Sequence, residues 1–132
     1  MKSSKKIVMI ILILLVVLLM AGVAFAYVYV ATDHFGSDDH PITFYDTEWN
    51  MLNVKYGHHK TCEIERPKFF DEMLEMSRKL SKDMPFVRVD FFETEEQLYV
   101  AELTFYPGGG FSYFNPPSFN KELGDKFILP KN

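Results

Sequence analysis

Phe86-Val87-Arg88-Val89-Asp90-Phe91-Phe92, the break Glu95-Glu96-Gln97, and Leu98-Tyr99-Val100-Ala101-Glu102-Leu103-Thr104-Phe105-Tyr106 form the stretch whose reading decides the fold. Two runs rich in β-branched and aromatic residues around a short polar interruption predict a hairpin. If the hairpin is symmetric about Glu96, Asp90 faces Glu102, Arg88 faces Thr104, and Val89 faces Leu103. Side chains alternate across a strand. Val87, Val89, Phe91, Ala101, Leu103 and Phe105 therefore share one apolar face, which is the expected core side. Arg88, Asp90, Glu102 and Thr104 share the other, so the polar side chains form one patch.

Two carboxylates directly opposite one another destabilise a sheet unless something compensates. Arg88 beside them is one candidate, and a divalent cation is another. Hard cations such as Mg²⁺ take oxygen ligands, typically one or two carboxylates together with substrate phosphates. Such an ion neutralises charge that develops during phosphoryl transfer. The plain alternative is a solvated hairpin face carrying an Arg–Asp–Glu network, and spacing alone favours that alternative.

Working outward, Ile42 to Leu52 is rich in β-formers and predicts a strand that extends the hairpin. Val54 to Glu65 is polar, contains Gly57 and reads as a loop. Pro67 opens a helix where its missing N–H costs nothing. Phe70, Met73, Leu74, Ser77 and Leu80 then recur at helical spacing and give one face to pack on the hairpin. Asp83-Met84-Pro85 ends that helix, because residues before proline avoid the helical region. Gly108-Gly109-Gly110 follows the second strand, so it reads as a turn and not a phosphate loop. Ser118 to Phe127 predicts a second, short helix.

The N-terminus has a different character. Ile7 to Ala31 holds no charged residue and follows Lys2, Lys5 and Lys6. About 20 apolar residues cross a bilayer as a helix. The expected organisation is thus a membrane anchor or signal segment over residues 1–31, a tether over 32–41 and a domain over 42–132. Ala24-Phe25-Ala26 fits a signal-peptidase pattern, but the run is longer than a usual signal core of ~7–15 residues. It also continues through Tyr27 and Tyr29, so a single-pass anchor in the lipid bilayer is preferred. Lysines before the span and Asp33, Asp38 and Asp39 after it place the domain on the extracytoplasmic side.

The formal net charge is −4; with the three leading lysines set aside, 11 basic residues face 18 acidic ones. That balance speaks against nucleic acid as a partner. Cys62 is the sole cysteine, so the monomer has no internal disulfide. His58, His59, Cys62 and Glu63 lack the paired spacing of a zinc site and read as a solvated loop. The aromatic residues Phe111, Tyr113, Phe114 and Phe119 read as core packing in preference to a sugar-stacking surface.

Arg88-Val89-Asp90 followed by Glu102-Leu103-Thr104 and Pro107-Gly108 resembles the paired metal-binding strands of ATP-grasp ligases, an R-x-D strand and an E-x-N strand running into Pro-Gly. More narrowly, the chain resembles the TupA-like ATP-grasp proteins of teichuronopeptide and other surface-polysaccharide synthesis. Phe44-Tyr45-Asp46 with Trp49-Asn50, Arg66-Pro67-Lys68, Leu80-Ser81-Lys82-Asp83, Gly110-Phe111 and Leu123-Gly124 carry that likeness across Ile42 to Pro130. The resemblance implies an α+β fold like the C-terminal ATP-grasp subdomain, a small antiparallel sheet packed with one or two helices. It implies ATP and Mg²⁺ as cofactors, with Asp90 and Glu102 as metal ligands. Arg88 would contact nucleotide phosphate or the acyl phosphate, and Thr104 stands where many relatives carry a metal-binding Asn. The implied reaction activates a carboxylate as an acyl phosphate that an amine then attacks. The half that covers the phosphates in those ligases has no counterpart in this sequence. Activity would therefore need a partner protein supplying that half. The competing expectations are an exported, non-catalytic binding module and a truncated ligase fragment. An extracytoplasmic domain and ATP chemistry do not sit together, because ATP is scarce outside the membrane.

Overall fold

The computed structural model describes residues 10–13, 18–20, 23–25, 27–32 and 40–127. In chain order the strands are β1 (Ile10–Ile13), β2 (Leu18–Met20), β3 (Val23–Phe25), β4 (Val28–Thr32), β5 (Ile42–Tyr45) and β6 (Lys55–Tyr56). Helix α1 (Phe70–Leu80), strands β7 (Arg88–Glu93), β8 (Leu98–Thr104) and β9 (Phe114–Asn115), and helix α2 (Ser118–Asp125) follow. The main sheet has five strands in the order β5-β4-β1-β7-β8, and every described pairing within it is antiparallel. Two small ribbons, β2-β3 and β6-β9, complete the sheet structure of the described residues. The α+β class expected from the sequence holds.

The helix expected across the N-terminal apolar run is corrected by these strands. Its described residues lie in β1, β2, β3 and β4, and no helix among the described residues is long and apolar enough to cross a membrane. The physical reason is an ambiguity of hydropathy. A strand with neighbours on both sides and cover on both faces reads as continuous Ile, Leu and Val, as a membrane helix does. Lys2, Lys5 and Lys6 and most of the expected tether, residues 33–39, lie outside the described residues.

One face of the sheet packs against α1. Phe70, Met73 and Leu74 bury with Val28, Val30, Tyr45, Val87, Val89 and Phe91 in one cluster. These are the residues that the helical periodicity singles out. Glu93, at the end of β7, fixes where the helix begins, because its two carboxylate oxygens accept from the Lys68 N–H at 3.2 Å and the Phe69 N–H at 3.0 Å. An acidic group at this end also suits the helix dipole. Trp49 closes the cluster by stacking on Tyr45, with ring centroids 4.1 Å apart.

The other face of the sheet meets α2. Phe119 and Leu123 of that helix bury with Ile42, Phe44 and Val54. The Tyr27 hydroxyl donates to the Glu122 carboxylate and ties the start of β4 to the same helix. The expected long strand from Ile42 to Leu52 is a tight hairpin instead. It turns at Asp46, whose Oδ1 accepts from the backbone N–H groups of Glu48 at 2.9 Å and Asn50 at 2.8 Å. A side chain that satisfies two turn N–H groups is a turn former, not a strand former. The strand that results lies at the sheet edge, with β4 and β1 between it and the β7-β8 hairpin.

Candidate functional site

The register of β7 and β8 pairs Arg88 with Thr104, Val89 with Leu103 and Asp90 with Glu102. The polar patch expected from alternation is therefore assembled on one face. Immediately beyond it a bulge shifts the register, so Phe91 pairs with Val100 and Ala101 is the extra residue. Bulges re-aim side chains and occur often beside functional sites. The bulge also revises the expected apolar face. Val89 and Phe91 are buried, whereas Ala101, the extra residue of the bulge, and Phe105, beyond the end of β8, are exposed.

Within the patch, Arg88 holds Asp90 by two parallel bonds. Nε donates to Oδ1 and Nη2 donates to Oδ2, both at 2.9 Å. The Asp90 side chain is 5% exposed and that of Arg88 is 19% exposed. Glu102 is exposed, and its Oε1 accepts from the Thr104 hydroxyl at 3.1 Å. Burial pushes the Asp90 carboxyl above the ordinary aspartate range; the Arg88 guanidinium opposes this and the neighbouring Glu102 charge adds to it. The two compensations weighed from sequence thus resolve in part: Arg88 is in place against Asp90.

The donor set that remains for a hard cation is the two carboxylates of Asp90 and Glu102. A carboxylate offers about four lone-pair sites, and the guanidinium takes two of those on Asp90. Asp90 and Glu102 would hold the ion, the two carboxylates that Mg²⁺ takes where phosphate and water complete its shell. No cluster of three His, Cys, Asp or Glu residues suited to a metal occurs among the described residues.

The remaining residues singled out from the sequence have structural work. Cys62 lends its backbone to Thr43, whose hydroxyl donates to the Cys62 carbonyl at 2.7 Å and accepts from the Cys62 N–H at 3.0 Å. His58 pairs with the Tyr113 hydroxyl at 3.0 Å. Gly108, Gly109 and Gly110 form a tight turn with φ of 59°, 63° and 81°. The Gly109 and Phe111 N–H groups are used inside that turn, on the carbonyls of Tyr106 and Gly108, which agrees with reading it as a turn. The late aromatic group divides: Phe119 is core, Phe114 packs against it, and Phe111 and Tyr113 are 90% and 54% exposed.

A family model described as TupA-like ATPgrasp matches residues 23–128. The chain belongs to the TupA-like ATP-grasp family. No curated protein and no solved structure matches it. The TupA-like match takes in β3 to β9 and both helices, and it begins inside the apolar run expected to be an anchor. TupA-like ATP-grasp membership implies ATP and Mg²⁺ use at the level of the family.

Sequence reasoning missed one feature beside the patch. A cavity of about 730 Å³ adjoins Arg88 and runs between the sheet and α2, with Phe44, Phe86 and Phe114 among its walls. Phe86 was read as the first strand residue and Phe114 as core. Only the arrangement of β5, β7 and α2 in space brings them round one void, so no local pattern could have shown it.

Proposed function

We propose that this chain is the metal-binding end of an ATP-grasp carboxylate–amine ligase, working with a partner that supplies the phosphate-covering half. The observation that carries this reading is the pairing of Asp90 with Glu102 across β7 and β8, with Arg88 beside them on the same face. In that reaction the γ-phosphoryl group of ATP passes to a carboxylate oxygen and ADP leaves. An amine then displaces phosphate from the acyl phosphate to form an amide. The ion would neutralise charge on the transferring phosphoryl group. Arg88 would contact its oxygens, and Thr104 would orient Glu102. The resemblance noted in the sequence supports synthesis of a teichuronopeptide-type cell-surface polysaccharide as the setting. Membrane anchoring by the apolar run would require β1 and β4 to leave the sheet, a separate state of the chain that flotation with liposomes would report.

The test is to titrate Mn²⁺, with and without ATP, into the full chain and an Asp90→Asn variant. The expected result is saturable Mn²⁺ binding that ATP tightens and the substitution removes. Identical binding by both proteins would end the metal-site reading. The second reading is a non-catalytic binding module that keeps the fold. It is favoured by the bidentate Arg88–Asp90 pair, which satisfies the buried carboxylate with no ion.

A further inference from the structure

A second cleft, of about 370 Å³, lies at the end of the β6-β9 ribbon. Its size falls in the range of small-molecule sites, about 300–1,000 Å³. One wall is the turn that follows β6, with Tyr56, His58 and His59; the other is the loop that leads into β9, with Phe111, Ser112 and Tyr113. The Gly57 N–H donates to the Tyr113 carbonyl at 3.1 Å and holds the walls together. Phe111 and Tyr113 are 90% and 54% exposed, so two rings expected from the sequence to be core are presented to solvent at this cleft. Exposed apolar rings grouped at a groove mark binding sites, whereas rings scattered singly do not. Polar groups are set among these rings. The Tyr56 and Ser112 hydroxyls share a hydrogen bond of 2.8 Å, and the Tyr113 hydroxyl pairs with His58 Nε2 at 3.0 Å. A hydroxyl offers one donor and two acceptor sites, so each contact leaves bonding capacity unused. Gly108 makes room for the first pair, since a Cβ there would stand 2.3 Å from the Ser112 hydroxyl oxygen and 3.3 Å from that of Tyr56.

No Asp, Glu, Lys or Arg is among the described residues that line the cleft. A ligand recognised by its charge would be desolvated there against no opposite charge. A wholly aliphatic ligand would leave the hydroxyls and imidazoles without partners. A neutral ring with hydroxyls at its edge and C–H groups on its faces meets both demands. Its faces lie on aromatic rings, and its edge exchanges hydrogen bonds with hydroxyls and imidazoles. We propose that this cleft binds a neutral sugar, with Phe111 and Tyr113 as the stacking rings and Tyr56, His58 and Ser112 as hydrogen-bond partners. None of these residues belongs to the patch of Arg88, Asp90, Glu102 and Thr104, so the inference goes beyond the ligase reading and does not depend on it.

The exposure of the two rings provides a test that does not threaten the fold, because Phe111→Ala and Tyr113→Ala each remove a side chain that is more than half in solvent. The probes are cellotriose, maltotriose and chitotriose, with adenosine as a neutral ligand that stacks through a flat base. Each is titrated into the full chain and both variants and followed by saturation-transfer NMR. Expected are saturable binding of at least one trisaccharide with Kd below about 10 mM, saturation transferred chiefly to its C–H protons, and binding weaker by about tenfold in each variant. Both variants should melt with the parent. Three results would each overturn the proposal: no saturable binding of any trisaccharide, binding that either substitution leaves unchanged, or adenosine bound more tightly than every trisaccharide. The last would assign the cleft to an aromatic base.

Discussion

Replacing Arg88 by methionine keeps most of the length and apolar stem of the side chain and removes the two bonds to Asp90, each 2.9 Å. Asp90 is then left 5% exposed with no cation against it and Glu102 opposite. Removing one member of a buried pair costs about 3–5 kcal/mol. The lower end applies here, because Asp90 can escape part of the penalty by taking up a proton. For a chain of 132 residues about 3 kcal/mol lowers the melting temperature by roughly 11 °C. The pH dependence follows from the direction of the Asp90 shift. Its carboxyl is raised in the folded protein, chiefly by burial, so the folded state binds that proton more readily than the unfolded state. The contribution to stability is present below the unfolded value and is lost as pH rises through the folded one. Arg88 is the group opposing the rise, so Arg88→Met pushes the carboxyl further up and widens that window. Urea denaturation followed by circular dichroism should show the full loss at about pH 7.5 and a clearly smaller one near pH 5. The double variant Arg88→Met, Asp90→Leu should recover most of the loss, since an apolar pair of similar volume replaces the ions. A single variant within about 1 kcal/mol of the parent, or one with the same loss at both pH values, would refute this account of the pair.

Three further outcomes can be measured in the same way. Phe70→Ala removes a ring that is 0% exposed and lies 4.8 Å from Trp49, and it should cost about 3–5 kcal/mol in urea denaturation. Gly108→Ala places a Cβ 2.3 Å from the Ser112 hydroxyl oxygen at a φ of +59°, so it should cost more than about 1 kcal/mol by thermal melting. Thr104→Asn exchanges a hydroxyl that donates to Glu102 for an amide whose carbonyl can reach an ion, and Mn²⁺ titration should show tighter binding than in the parent.

The parts of this fold that could be read from sequence are those with a short period. Symmetry of the hairpin about Glu96 set Asp90 against Glu102, alternation put them on one face with Arg88 and Thr104, and a spacing of three and four marked the buried face of α1. Both patterns are local, set by backbone geometry within a single strand or helix. The bulge at Ala101 was hidden because it depends on how two strands twist together, and one extra residue turns the outer half of β8 to the other face. Strand order was hidden for a similar reason: nothing in Ile42 to Tyr45 says that two other strands lie between it and the hairpin. The apolar run failed as evidence because burial by protein and burial by lipid select the same residues. The juxtaposition of Arg88, Asp90, Glu102 and Thr104 was legible, but the grip of Arg88 on Asp90 was one of two options until the side chains were in position.

The middle of the main sheet has a consequence for how the chain assembles. β1 is hydrogen-bonded to β4 on one side and to β7 on the other, and among the described strands it joins the β4-β5 pair to the β7-β8 pair. It also lies outside residues 23–128, the part of the chain that matches the family. β1, which precedes both pairs in the sequence, is thus a keystone that has to wait for the β7-β8 hairpin. Two prefabricated ribbons, each formed from near neighbours, would be joined late by a segment made early, which is a high contact-order route and a slow one. The same layout makes the seat transferable: an equivalent strand from a second molecule would satisfy the same two ladders, so exchange of β1 is the natural failure mode at high concentration.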